Sequence, residues 1–152
     1  MFVLVVGAGR VGASVATTAL RAGHTVSVLD EDPLSHERLD VELGETWESA
    51  GGRFTIGTAL EMDALEEAGI AGADVFIAST DGDNTNLVVS QLAQKRFEVP
   101  KVIARILDPR RAAWYAEQGL HTVCPTAIAI DQLEKAALRQ ADAVGRAGDE
   151  GA

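Results

Sequence analysis

The sequence predicts an α/β fold: a doubly wound parallel sheet of strand order 3-2-1-4-5-6, finished by a C-terminal helix. Three observations predict it. The chain opens on a short apolar run, Phe2-Val3-Leu4-Val5-Val6, followed at once by Gly7-Ala8-Gly9-Arg10-Val11-Gly12 and an alanine-rich helical stretch, Ala13 to Ala22. Apolar runs of strand length then alternate with helical stretches along the chain, the pattern of βα units joined by right-handed crossovers. The second such run, Thr25 to Leu29, ends on an acid, Asp30, close to the ~20-residue offset from the glycines that a Rossmann-like unit shows.

Each glycine of the first turn has its own task. Gly7 permits the tight turn out of the strand. Gly9 lets backbone approach a pyrophosphate, and Gly12 lets the helix pack closely on the strand. Unpaired amides at the helix start, with the helix dipole, favour a bound anion.

Composition sets the bounds. With 152 residues, 47% of them apolar, the chain can bury the core of one domain. Its formal net charge of −10 argues against nucleic acid or an anionic membrane surface as a general partner. Cys124 is the single cysteine, which excludes an internal disulfide and a cysteine-cluster metal site. The apolar run at the start stops at Gly7, and no stretch approaches membrane-spanning length; a cytoplasmic protein with no direct membrane insertion is expected.

The remaining elements follow in order. The first helix stops near Gly23. Asp30-Glu31-Asp32-Pro33 closes the second strand. Asp30 suits the adenosine ribose hydroxyls, and the acids disfavour a 2′-phosphate, so NAD or an adenine nucleotide is expected over NADP. Arg38, the nearest cation, has no role in this reading. A second helix is expected from Pro33 to Ala50, broken by Gly51-Gly52. Arg53 to Ile56 reads as the third strand. The turn Gly57-Thr58-Ala59-Leu60 follows, where Thr58 and Ala59 would flank an adenine. A short helix, Glu61 to Ala68, leads to the fourth strand, Asp74 to Thr80, whose apolar character suits a buried parallel strand.

The polar run Asp81 to Asn86 lies beside the glycine turn, where strand order reverses and ligands bind. A helix from Leu87 to Arg96 follows, with Asp83 as its expected N-cap. Arg105 ends the fifth strand, Lys101 to Arg105, at the ligand edge, a position suited to phosphate. Asp108-Pro109 starts a helix to Gln118, and at least one of Trp114 and Tyr115 should pack in the core. His121 to Cys124 is the sixth strand. The last helix, Thr126 to about Ala141, carries Ile130, Leu133 and Ala137 as an apolar stripe. It either packs on its own sheet or is exchanged with a partner subunit. Residues 1–141 form the expected domain, and 142–152, small and polar, the expected disordered tail.

With these residues in place, the chain resembles the RCK/KTN (TrkA-N) nucleotide-binding regulatory domain of potassium channels and transporters, over roughly residues 1–140. The resemblance rests on the glycine motif with arginine at its fourth position, Asp30, Leu65-Glu66-Glu67-Ala68-Gly69-Ile70, Ala73-Asp74, the set Thr80, Asp83 and Asn86, Ala104-Arg105, and Val123-Cys124-Pro125.

It implies a regulatory, non-catalytic module with no catalytic residue. Such a module binds NAD or NADH, or alternatively ATP or ADP. It pairs through the last helix into a homo-oligomer, a dimer or a ring of dimers, at the inner face of the membrane beneath an integral-membrane potassium transporter or channel. Carried over by position, Gly7, Gly9, Val11 and Gly12 form the phosphate turn, and Arg10 and Arg105 face phosphates. Asp30 holds the ribose with Glu31 beside it, and Thr80 and Asp81 line the second half of the site.

Two positions depart from the family pattern. Gly57-Thr58-Ala59-Leu60 stands where Gly-Asp-Ala-Thr is common. Thr126 stands where some members have a cation-binding glutamate, so no metal is expected. The resemblance also implies a companion C-terminal domain, expected to be missing from this chain or supplied by another. The competing expectation is the coenzyme domain of an NAD-dependent dehydrogenase, which requires an acid or base at the nicotinamide end.

Overall fold

The computed structural model describes residues 1–149, with side chains through Arg139. Six strands form one sheet: β1 (Phe2–Val6), β2 (Thr25–Asp30), β3 (Arg53–Ile56), β4 (Val75–Ala78), β5 (Lys101–Arg105) and β6 (His121–Val123). Their order is β3-β2-β1-β4-β5-β6, and every pairing is parallel. The helices are α1 (Arg10–Arg21), α2 (Leu34–Leu43), α3 (Met62–Glu67), α4 (Asp83–Lys95), α5 (Pro109–Glu117) and α6 (Pro125–Asp149). The sheet is the one the sequence predicts.

Each face of the sheet carries a core, because residues alternate sides along a strand. Leu4, Val6, Leu29, Phe76 and Ala104 pack with α3, α4 and α5 on one face. Tyr115 packs against this core, whereas Trp114 is exposed. Val3, Val5, Val26 and Val28 pack with α1 and α2 on the other face. Ala13 and Ala16 bring α1 close to the strands, and Trp47, fully buried, completes that core.

The limits of α1, α2, α4 and α6 differ from the sequence expectation. The first helix begins at Arg10, not Ala13, with Gly9 as its N-cap. α2 ends at Leu43, because Gly44 adopts a left-handed conformation (φ 83°) there. The segment to Gly51, expected as the end of that helix, is instead a series of turns that inserts Trp47. α4 begins at Asp83, with Gly82 as N-cap. Asp83 is therefore the first helical residue, and its carboxylate accepts hydrogen bonds from the Leu107 and Asp108 amides at 2.8 and 3.0 Å. By contrast, Asp108 caps α5 as its position before Pro109 suggests, accepting from the Arg110 and Arg111 amides.

α6 stands off the sheet. Every side chain described from Ala127 to Arg139 is exposed, including Ile128, Ile130, Leu133 and Leu138. Lys135 and Asp131 pair along it at 2.8 Å. It continues to Asp149, past Ala141, where the alanines at 141, 143 and 147 favour helix. Residues 150–152, the end of the expected tail, lie outside the described residues. Since α6 does not fold back, the sheet face bearing Ile77, Ile103 and Val123 is left without a described helix over β5 and β6. Val11 and Val15 of α1 are also exposed.

Candidate nucleotide site at the carboxyl edge of the sheet

The glycine turn leaves β1 at the centre of the sheet, between β2 and β4. The Gly7 amide donates to the Leu29 carbonyl at 2.8 Å, and the Ser79 hydroxyl donates to the Gly7 carbonyl at 2.8 Å. Gly7 has φ 95°, and a Cβ there would lie 2.7 Å from the Ser79 and Thr80 backbone. A Cβ on Gly12 would lie 1.8 Å from the Gly7 carbonyl oxygen. Both glycines are thus required by backbone contact. Gly9 differs: nothing lies within 4 Å of its added Cβ, because it borders the open cleft. No side chain caps the start of α1, so its first-turn amides have no intrahelical acceptor.

The cleft measures about 590 Å³, within the usual range for small-molecule sites. Gly7, Gly9 and Arg10 line it at the turn, and Asp30 and Glu31 at the end of β2. Thr58 and Ala59 line it after β3, and Thr80 and Asp81 after β4. The structure therefore brings nine of the sequence-derived residues to one cavity. Gly12 acts from behind by close packing. Val11 and Arg105 are not among the lining residues.

Asp30 and the glycine turn meet directly. The Ala8 amide donates to Asp30 Oδ2 at 2.6 Å, and the Asp32 amide donates to Oδ1 at 2.8 Å. The carboxylate is held on both oxygens by backbone, with lone pairs left for further donors. Arg105, expected to face phosphate, is not among the lining residues. Its guanidinium donates to the Thr80 carbonyl at 2.7 Å and lies 3.7 Å from Asp81. An arginine at a strand end is long enough to reach back over the neighbouring loop, and here it braces the β4–α4 connection.

Three contributors have no site role in the sequence reading. Asn86, 1% exposed, accepts from both the amide and hydroxyl of Thr80 and donates to the Thr80 and Arg105 carbonyls; it fixes the loop that presents Thr80. Ser79 ties that loop to the glycine turn. Arg38 lines the cleft from α2 and donates to the Ala8 carbonyl at 2.6 Å. Its helical position relative to the site depended on where α2 began.

His36 lies outside the cleft lining. Its Nε2 is 2.7 Å from Glu48 and its Nδ1 3.9 Å from Asp40, so the carboxylates sit on opposite ring nitrogens. The group bridges α2 to the turn carrying Trp47, with one ligand atom of each of His36, Asp40 and Glu48 within 4.8 Å of the others.

A glycine turn at the sheet's reversal point, an acid at the tip of β2 and an open crevice between them define a Rossmann-like domain of the nucleotide-binding class. The TrkA-N domain model matches residues 3–124, and the chain belongs to that family. The chain is 41% identical over 133 residues to the Trk system potassium uptake protein TrkA of Streptomyces coelicolor, covering 88% of this chain and 56% of that protein. It is 32% identical over 136 residues to a TrkA homolog of Methanothermobacter thermautotrophicus, covering 89% of this chain and 59% of that protein. The chain spans a little over half the length of these relatives.

Among solved structures, the Shewanella denitrificans Kef C-terminal domain in its AMP-bound form aligns with a TM-score of 0.74 at 27% identity, covering 98% of this chain and 89% of that one. The GsuK RCK domain aligns with a TM-score of 0.73 at 18% identity, covering 93% of this chain and 29% of that one, and shows the shared fold.

Proposed function

We propose that the chain is a nucleotide-sensing regulatory domain of a potassium transport system, with residues 1–141 as the sensing unit. One observation carries the reading: the Asp30 carboxylate lies 2.6 Å from the glycine-turn amide, at the wall of an open cleft. In this reading Asp30 takes the sugar and the adjacent turn takes the phosphate. The AMP held by the Kef relative supports an adenine nucleotide. NAD or NADH fits the second half of the cleft better than ATP or ADP. There Arg105 is committed to Thr80, and Asp81 would repel further phosphates. None of His24, His36 or His121 lines the cleft, which favours sensing over hydride transfer and a non-enzymatic role.

The partner is a second copy and, through it, an integral-membrane potassium transporter or channel at the cytoplasmic face. The relatives' names support the transport assignment. Among the described residues no helix is long and apolar enough to cross a membrane. The exposed stripe of α6 and the open face bearing Ile77, Ile103 and Val123 are complementary in character. A helix exchanged between two copies covers both at once, giving a dimer or a ring of dimers. Nucleotide binding would then shift the population between two dimer geometries, by as much as its affinities for them differ.

Titration with NADH, NAD, ATP, ADP and AMP, beside hydride-transfer assays, tests the function. Saturable binding without turnover is expected, and no binding of any of the five would end the reading. In the same assay Gly9→Val, whose side chain meets only cleft space at Cβ, should keep the fold and lose at least about tenfold in affinity. For the assembly, the full chain should sediment as a dimer or larger. Leu133→Asp, at a side chain 69% exposed in the single chain, should sediment as a monomer of unchanged helicity.

A further inference from the structure

α2 presents two polar side chains to the cleft one turn apart, Ser35 and Arg38. Ser35 is 3% exposed and lines the cleft. Arg38 is anchored: Nη1 donates to the Ala8 carbonyl at 2.6 Å, while the amide of the same Ala8 donates to Asp30. One residue of the glycine turn is therefore gripped at its amide by the acid and at its carbonyl by the guanidinium. This sets Arg38 beside the ribose end of the cleft. It is one of two basic residues in the lining, with Arg10. The opposite wall there is the loop after β3, Gly57 to Leu60, where Ala59 is buried and Leu60 is half free.

A ribose held at Asp30 carries its base on the adjacent carbon, within one glycosidic bond of both walls. The acids Asp30, Glu31 and Asp32 in the same lining oppose a ribose 2′-phosphate as the partner of Arg38. A purine suits it instead. A guanidinium is planar, weakly hydrated and stacks on π-faces, and four of its five N–H donors remain beyond the one on Ala8. The anchor on Ala8 also fixes the plane in advance, so less rotamer freedom is lost on binding.

We propose that Arg38 is the base-recognition residue of this site: its guanidinium, locked to the glycine turn, stacks on the purine against the Ala59–Leu60 wall, with the Ser35 hydroxyl available to the base edge. The inference rests on the nucleotide reading above but can fail without it.

The test compares Arg38→Ala and Arg38→Lys with the unchanged chain, using AMP and ribose 5-phosphate as probes in equilibrium titrations. Loss of the stack should weaken AMP by about tenfold in both variants, since lysine keeps the charge but not the plane. Ribose 5-phosphate, which has no base, should change by less than about twofold. Thermal unfolding of each variant checks that the glycine turn survives loss of its anchor. The proposal is overturned if AMP binding is retained in Arg38→Ala, if lysine restores it, or if ribose 5-phosphate weakens as much as AMP. Tight AMP binding unaffected by either variant would leave the nucleotide reading standing and remove Arg38 from it. Failure of the unchanged chain to bind AMP, NAD or ATP would remove both.

Discussion

Gly12→Ala should lose about 3 kcal/mol of stability or unfold outright, measured as a drop in the urea midpoint at constant slope. Alanine is the better helix former by up to ~1 kcal/mol, so an ordinary mid-helix glycine would show a gain. Here the new methyl would sit 1.8 Å from the Gly7 carbonyl oxygen and 2.6 Å from Ser79 Oγ. The first obstacle is backbone of a turn that is itself pinned to β2 and β4. Neither can yield without pushing α1 off the sheet and opening the valine and alanine layer beneath it. Steric overlap therefore outweighs propensity. A stable Gly12→Ala protein would mean that the turn and α1 are not in contact as described.

Trp47→Ala should cost about 3–5 kcal/mol, the range for removing a large fully buried aromatic. Trp47 is 0% exposed and tops the core between α1, α2 and the sheet. Its Nε1 donates to the Arg53 carbonyl at 2.9 Å, and its amide donates to Asp40 at 2.7 Å. Trp47→Phe keeps most of the volume but leaves the Arg53 carbonyl without its donor, so about 1–3 kcal/mol should still be lost. Chemical denaturation followed by circular dichroism measures both. Fluorescence separates the two tryptophans, because Trp114 is exposed and Trp47 is not. The blue-shifted emission should vanish with Trp47. Since Arg53 begins the strand that leads into the Gly57–Leu60 wall, the same variant should also weaken nucleotide binding.

The sheet was legible because its strands are apolar runs bounded by glycine or polar turns, and because βα alternation leaves few topologies open. The glycine turn, Asp30 and the Thr58, Ala59, Thr80 and Asp81 loops were legible for the same reason: strand ends in such a sheet share one edge. What escaped were features set by side-chain reach and by tertiary contact. Trp47 stood in a segment that reads as the tail of a helix, until Gly44 takes a left-handed turn ahead of it. Arg105 is at the right edge, but a long side chain can turn toward a carbonyl as easily as toward solvent. Arg38 faces the cleft only because α2 packs as it does, and its α2 neighbours show no strong apolar stripe that would have oriented it. Asp83 looks like a cap in sequence, yet Gly82 holds that place and frees the carboxylate to join two loops.

The placement of α6 has a mechanical consequence. The helix is rooted at Pro125, directly after β6, where Cys124 accepts from the Ala127 amide and Ile106 pairs with Val123. Over 25 residues it extends about 37 Å from that pivot. A tilt of about 5° at its base would carry the far end roughly 3 Å sideways, by simple proportion from that length. Movements too small to disturb the crevice lining are thus magnified at the tip, as a short arc near an axle becomes a long one at the rim.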